Sequence, residues 1–363
     1  MTDLPERAVS VHDFEALARA RLDPAVFDYI DGGAGDEITV RANRRDLDEI
    51  SLLPFVLRDV SAPDLAVRLL GGSFSAPIGF SPTAFHRLVD EGGEIGTARA
   101  AKATNVPMIV SSMSSIALED VAAGSGNESL WFQTYVFRDR DVTMGLVRRA
   151  EESGYRAVVV TVGCPVAGKR DRNLRNNFTL PHGVSAANFG KLAAVSHNNP
   201  IHSVAGAELD PSVTWQDIEW LRRRTALPVL LKGITNPLDV APALELGISG
   251  LILSNHGGRQ LDTTRSTIRI LPELAEAVAG RVPLLVDSGF RRGTDVLKAI
   301  ALGADAVLLG RPVVWALAAG GERGVVDLVD LLVGELRTAM QLSGCAGLAE
   351  TRRDAAGLIR GPS

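Results

Sequence analysis

Cysteine is nearly absent: Cys164 and Cys345 are the only two in 363 residues. Two thiols so far apart give no disulfide framework and no metal-ligand spacing; no metal is expected, and a reducing interior suits the chain best. Aromatic residues make up only 5%, while Ala, Gly, Leu and Val dominate, as in α/β proteins with many close helix–strand contacts. No apolar run approaches the roughly 20 residues of a membrane span. The opening "MTDLPERAVSVHDF" lacks the basic-then-apolar pattern of a secretory signal. There is no block of Lys and Arg either; the arginines are scattered and the net charge is −5. Neither nucleic acid nor a membrane surface is therefore an expected partner, and a soluble cytoplasmic protein is the expectation.

The hydrophobic share, 46%, is enough for a sizeable core. "SVHDFEALARARL" reads as a helix capped by Ser10 with a stripe of Phe14, Leu17 and Ala18. "DPAVFDYIDGGA" reads as a second, with Pro24 at its start and glycines at its end. From there a rhythm sets in. Eight short apolar runs, "APIGFSP", "PMIVSS", "LWFQTY", "AVVVTV", "LPVLLKG", "GLILSN", "VPLLVDSG" and "AVLLGRP", alternate with amphipathic stretches. Near-continuous apolar strands alternating with helices imply a parallel sheet covered by helices. Eight such units favour a closed (β/α)8 TIM barrel over an open sheet, which would want a glycine fingerprint after its first strand. The expected organisation is a single domain over 1–363. Helices and a lead-in occupy 1–70, the barrel 71–345 and a C-terminal tail 346–363. One long connection, from about Pro165 to Ser212, follows the fourth strand; loops of that length usually act as lids or binding segments.

In such barrels the site lies at the carboxyl ends of the strands, so the residues found there should form one coherent set. They sort into three groups. "DSGFRRG" and "GRP", ending strands seven and eight, offer backbone N–H groups, a helix N-terminus, Arg291 and Arg311 to a phosphate; the duller reading is surface loops with stray arginines. Ser111, Gln133, Thr161 and Lys232 end consecutive strands and suit a flat hydrogen-bonding ring such as a flavin. Lys232 could instead pair with a carboxylate or form a Schiff base. "LSNHGGRQLD" joins a histidine, the side chain best suited to moving a proton near neutral pH, to a carboxylate-gripping Arg259, across two glycines. Arg170, Tyr135 and Tyr29 would complete a site for an anionic substrate, although alone Tyr29 could be a core residue and Arg170 a solvated one. The other histidines, His12, His86, His182, His197 and His202, read as structural or surface residues, with His86 the most ambiguous.

These motifs resemble the FMN-dependent 2-hydroxy acid oxidase and dehydrogenase family, which includes glycolate, lactate and mandelate-oxidising enzymes. The likeness runs from "FDYIDGGAGDE" to "MQLSGCAGL", and "SNHGGRQLD" matches the family signature without departure. The resemblance implies FMN as cofactor and His256 as the base taking the substrate hydroxyl proton while hydride passes to flavin N5. It also implies Arg170 and Arg259 on the carboxylate, with Tyr29 and Tyr135 on carboxylate and hydroxyl, both counted among the catalytic residues. The cofactor set it implies is Pro82, Thr83 and Ala84 after the first strand; Ser111, Gln133, Thr161, Lys232 and Ser254; Asp287, Ser288, Gly289 and Arg291; and Gly310 with Arg311. O2 is the implied electron acceptor, hydrogen peroxide the by-product and a homotetramer the family habit. Ala84 leans towards the oxidase outcome, since a glycine there accompanies monooxygenation in the family. No fused haem domain is expected. Met113 stands where glycolate-type members often carry a bulky aromatic, which points to an aryl or otherwise larger substrate and to specialised metabolism.

Two positions depart from the pattern. Gly163 in "TVGCP" replaces the Asp that pairs with the catalytic histidine in the family, and Asn173 replaces the carboxylate three positions after Arg170. The simplest expectation is a weaker base, because an opposite charge near a histidine raises its pKa. Two alternatives follow: specialised chemistry, in which the lost side chain makes room for a substrate with its own polar group, or a non-catalytic flavin-binding remnant. Other FMN barrels, of the isopentenyl isomerase or dihydroorotate type, share the phosphate site but lack "SNHGGRQ" with Arg170.

Overall fold

A computed structural model describes residues 8–194 and 209–360. Each of the eight apolar runs forms a barrel strand: β1 (Ile78–Phe80), β2 (Met108–Ser111), β3 (Leu130–Thr134), β4 (Val158–Thr161), β5 (Val229–Lys232), β6 (Gly250–Leu253), β7 (Leu284–Asp287) and β8 (Ala306–Leu309). They pair in parallel, in chain order, and β8 closes the ring onto β1. All positions of these strands are buried. Helices cover one face and packed side chains fill the other, which is why the runs are continuously apolar rather than alternating.

The N-terminal helices form as expected. Helix α1 (Val11–Arg21) is capped by Ser10, whose hydroxyl accepts from the Asp13 N–H, and it buries Val11, Phe14 and Ala18. Helix α2 (Pro24–Asp31) starts on its proline and ends at Gly32. It matters to the site because its end ties down two loops. The Ala34 N–H donates to Gly258 O (2.8 Å) and the Gly35 N–H to Lys169 O (3.0 Å). Arg172 bridges from the loop after β4 to Asp28, Asp31 and Glu37.

The stretch 346–360 is more than a tail. It forms a short helix, Leu348–Arg353, and ends in Ile359–Arg360, which pairs antiparallel with Ser51–Leu52. The long connection after β4 contains a short helix, Asp171–Arg175. Part of it, with His197 and His202, lies outside the described residues. Among those described, no helix is long and apolar enough to cross a membrane.

Candidate active site

The loop after β6 turns sharply. His256 is held in the left-handed region at φ 56, a conformation that costs a non-glycine residue on the order of 1–3 kcal/mol and persists only where its surroundings enforce it. Two hydroxyls do so: the His256 N–H donates to Ser254 Oγ (3.1 Å) and the Gly257 N–H to Ser288 Oγ (3.1 Å). At Gly257 (φ 65) a Cβ would sit 2.9 Å from Arg311 Nη1, and Arg311 donates to the Gly257 carbonyl. Glycine suits the left-handed backbone there, and a side chain would have to displace the end of Arg311.

Around this loop the strand ends enclose a cavity. Pro82, Thr83 and Ala84 line it after β1, Met113 after β2 and Tyr135 after β3. Ser288, Gly289 and Arg291 contribute after β7, Gly310 and Arg311 after β8, and α2 adds Tyr29. Tyr29 stacks on Phe178 (4.8 Å, 8°) with the Arg259 guanidinium over its ring. Ser111, Gln133, Thr161 and Ser254 do not line the cavity but lie in its buried support. Gln133 donates to Thr161 Oγ1 (3.0 Å), and Ser111 donates to Gln133 (3.3 Å).

Lys232 does pair with a carboxylate: its Nζ lies 2.9 Å from Asp287 Oδ2 and 2.7 Å from Ser254 Oγ. Asp287 also accepts from Ser81 and Ser288. The cavity is otherwise cationic. Arg170, Arg259, Arg291 and Arg311 line it, and none has a carboxylate partner within 4.0 Å among the described residues. Among the described residues the Arg259 guanidinium donates only to the carbonyls of Ile30 and Gly32, and that of Arg170 only to Arg259 O at 3.4 Å. Burial and the neighbouring guanidiniums push Arg259 well below its ordinary value, and burial together with Arg311 pushes Arg291 down to about 10. Leaving a buried ion uncompensated costs several kcal/mol, so this clustering implies anionic ligands.

The imidazole of His256 faces the same field. Burial, then Lys232, Arg170, Arg259 and Arg311, hold its pKa well below the usual value. The contact that sequence reasoning missed is at Nδ1, where Cys164 Sγ lies 3.1 Å away. In the sequence Cys164 stands out only as one of two thiols without disulfide or metal-ligand spacing. Its place next to Gly163, where the resemblance expects the histidine's partner, was the available signal. A side chain at Gly163 would not open towards the substrate, since its Cβ would press on the Gly233 backbone at 3.1 Å and Gly163 does not line the cavity. The expectation that the lost side chain enlarges the substrate site is not supported. Asn173 is buried, and its Oδ1 has no partner among the described residues.

Comparison with known proteins bears on the same residues. A family model described as FMN-dependent dehydrogenase matches residues 18–357. The chain belongs to this family. A 2-hydroxyacid oxidase of Dictyostelium discoideum is 43% identical over 94% of this chain and 88% of that protein. An L-lactate oxidase of a Nostoc species is 41% identical over 94% and 96%. The solved structure of a mandelate oxidase with (S)-4-hydroxymandelic acid superposes with a TM-score of 0.91 at 43% identity, covering 97% of this chain and 98% of that one. The protein is thus an FMN-dependent oxidoreductase, and its relatives are of the class the sequence motifs implied.

For a member of the FMN-dependent dehydrogenase family the end of the barrel near β7 and β8 fits a phosphate. Arg311 Nε is buried without a partner, and the N–H groups of Gly289 and Gly310 have no acceptor among the described residues. One element of the expected cradle is corrected. The N-terminus of the helix Gly293–Ala301 is already capped, with the N–H groups of Arg291 and Arg292 donating to Asp295 and that of Gly293 to Glu335. The guanidiniums and the two glycine amides are what remain for an anion. His86 proves structural, fully buried and bonded to Thr97 Oγ1 (2.9 Å) through one nitrogen and to Thr83 through the other. It thereby orients a cavity wall residue, whereas His12 and His182 are exposed.

Proposed function

We propose that the protein oxidises an anionic 2-hydroxy acid to the 2-oxo acid, with O2 as final acceptor and hydrogen peroxide as by-product. The observation that carries this reading is the arrangement around His256. Nδ1 is engaged by Cys164, Nε2 is bonded by no group among the described residues, and four guanidiniums without carboxylate partners among the described residues share its cavity, Arg170 and Arg259 among them. Bound FMN supplies the two-electron acceptor. Arg170 and Arg259 bind the substrate carboxylate. The phenols of Tyr29 and Tyr135 contact the carboxylate and hydroxyl, and burial holds the Tyr135 pKa above its ordinary value, so that it acts as a hydrogen-bond donor. His256 Nε2 takes the hydroxyl proton. Arg291 and Arg311 hold the cofactor phosphate, and Lys232, fixed by Asp287, lies among the groups facing the ring.

The substrate side chain is larger than that of glycolate, and an aryl acid fits best. Met113, a flexible thioether, lines the cavity, and structures of mandelate oxidase superpose closely on this chain. A role in specialised metabolism would follow. We keep in the proposal the single-domain organisation over 1–363, a reducing cytoplasmic setting supported by two buried free thiols, and a homotetramer. The remnant reading is disfavoured by a histidine that keeps a partner and an unengaged nitrogen.

The test is anaerobic mixing of the purified yellow protein with a panel of 2-hydroxy acids. Bleaching of the flavin, faster with aryl acids than with glycolate, followed by peroxide release on admitting oxygen, is the expected result. A flavin that no member of the panel bleaches overturns the proposal.

Two further outcomes are expected. Because His256 must be unprotonated to act and its pKa is depressed, kcat/KM should stay level as the pH falls through 6.5, the ordinary histidine value. It should drop only at the lower, depressed value; an acid limb at or above 6.5 contradicts the electrostatics of the site. Replacing Arg291 by methionine removes one phosphate-facing guanidinium and should weaken FMN retention by about 1.5–3 kcal/mol, the range for a hydrogen bond to a charged group. Flavin released during dilution and gel filtration measures it.

A further inference from the structure

We infer that Cys164 is the positioning residue for the catalytic imidazole: its neutral thiol sulfur accepts the Nδ1–H of His256 and so keeps the Nε2 lone pair turned towards the substrate. The inference rests on the reading of His256 as base given above. Cys164 Sγ and His256 Nδ1 are 3.1 Å apart although the residues are 92 positions apart in the chain. The direction of the bond follows from the role of the base: Nε2 can take the hydroxyl proton only when the neutral ring carries its own proton on Nδ1, and the group that faces Nδ1 at 3.1 Å, the Cys164 sulfur, is then the acceptor.

Backbone packing explains how the thiol reaches the ring. Gly163 and Gly233, at the ends of β4 and β5, approach so closely that a Cβ on Gly233 would lie 2.6 Å from Gly163 N. The Val162 N–H donates to Lys232 O at 2.9 Å, holding the two strand ends together. Gly233 admits no side chain and one on Gly163 would be tight, and the next residue, Cys164, supplies the group that meets His256. The glycine that removes the family's carboxylate and the cysteine beside it thus act as one unit.

The charge of the partner changes with this exchange. Burial pushes the Cys164 thiol up to about 11, so it is uncharged at neutral pH. The groups facing the pair are Lys232 from β5, Arg170 from the loop after β4, Arg259 on the histidine's own loop, Arg311 after β8, Asp287 from β7 and Tyr135 after β3. Asp287 is committed to Lys232, which leaves no carboxylate among the described residues to neutralise an imidazolium. A thiol partner orients the base without raising its proton affinity.

The test compares Cys164→Ala, Cys164→Ser and Cys164→Asp in the FMN-loaded protein. Cys164→Ala is expected to lower the rate of flavin reduction by about 3- to 10-fold, the effect of one neutral hydrogen bond, with FMN content and KM little changed. Cys164→Ser, which retains an acceptor, should recover part of that loss. Cys164→Asp should move the acid limb of the pH profile upward by about 1–3 units, as an opposite charge beside a histidine does. Nitrogen NMR of the His256 ring gives a readout independent of turnover and of whether the aspartate variant folds. The Nδ1–H form should predominate in the parent protein and give way to a mixture in Cys164→Ala. Unchanged kcat and unchanged tautomer in Cys164→Ala overturn the inference. A parent protein that no 2-hydroxy acid bleaches, but whose tautomer shifts in Cys164→Ala, overturns the function instead and leaves the pairing standing.

Discussion

Replacing His256 by glutamine is expected to slow reduction of the bound flavin by a 2-hydroxy acid by about 10²–10⁴-fold, the full worth of a positioned general base. The glutamine amide retains polarity and approximate length but has no basic nitrogen. The flavin content should remain near that of the parent protein, because none of the cofactor-facing guanidiniums hydrogen-bonds the imidazole; its one bonded side-chain partner among the described residues is Cys164. Anaerobic stopped-flow absorbance separates the two quantities, since the flavin spectrum reports binding and its bleaching reports chemistry. A loss smaller than about tenfold would mean that another group takes the hydroxyl proton. The nearby phenol of Tyr135 is a poor candidate, because burial raises its pKa and it is not a base at neutral pH.

The second large effect is expected at Arg170. Its guanidinium makes a single long hydrogen bond to Arg259 O within the protein, so the fold asks little of it, yet it is buried in a cavity that already holds three other guanidiniums. Such a group is stabilised chiefly by the anion it binds. Substitution by methionine keeps the apolar stem and removes the charge. The loss expected for one member of a buried, hydrogen-bonded charge pair is about 2–5 kcal/mol, which at ~1.4 kcal/mol per decade is roughly 30- to several-thousand-fold in kcat/KM. A neutral 2-hydroxy amide should be affected far less, because it offers no carboxylate to grip. Equal losses with acid and amide would show that Arg170 acts on the shape of the loop rather than on the substrate's charge.

Arg259 is the less clean probe of the same effect. It donates to the carbonyls of both Ile30 and Gly32, so its removal would also release the end of α2 and the phenol of Tyr29. The difference between the two arginines illustrates how this site is assembled. The loops after β4 and β6 carry the charges, but α2 and the chain following it hold those loops in register through Ala34, Gly35 and the Arg172 ion pairs. Changes in the N-terminal helices would therefore be felt at the catalytic centre.

Much of this was legible in the linear chain. Strands covered on both faces must be apolar throughout, so the eight runs announced a parallel barrel, and the rule that such barrels work at their strand ends pointed to His256, Arg259, Lys232 and Arg311 without coordinates. The family followed from "SNHGGRQLD", a local motif whose glycines and charged groups lie within one loop. Contacts between distant segments were not legible in this way, because they depend on how closely two backbones approach. Only the tertiary structure decided that Cys164 meets His256, because the two lie 92 positions apart and touch only where the ends of β4 and β6 come together. It also decided that Lys232 is neutralised by Asp287, that Asp295 caps the amides expected to hold a phosphate, and that Ile359–Arg360 pairs with Ser51–Leu52. Periodicity records which face of an element is buried; it does not record what lies against it.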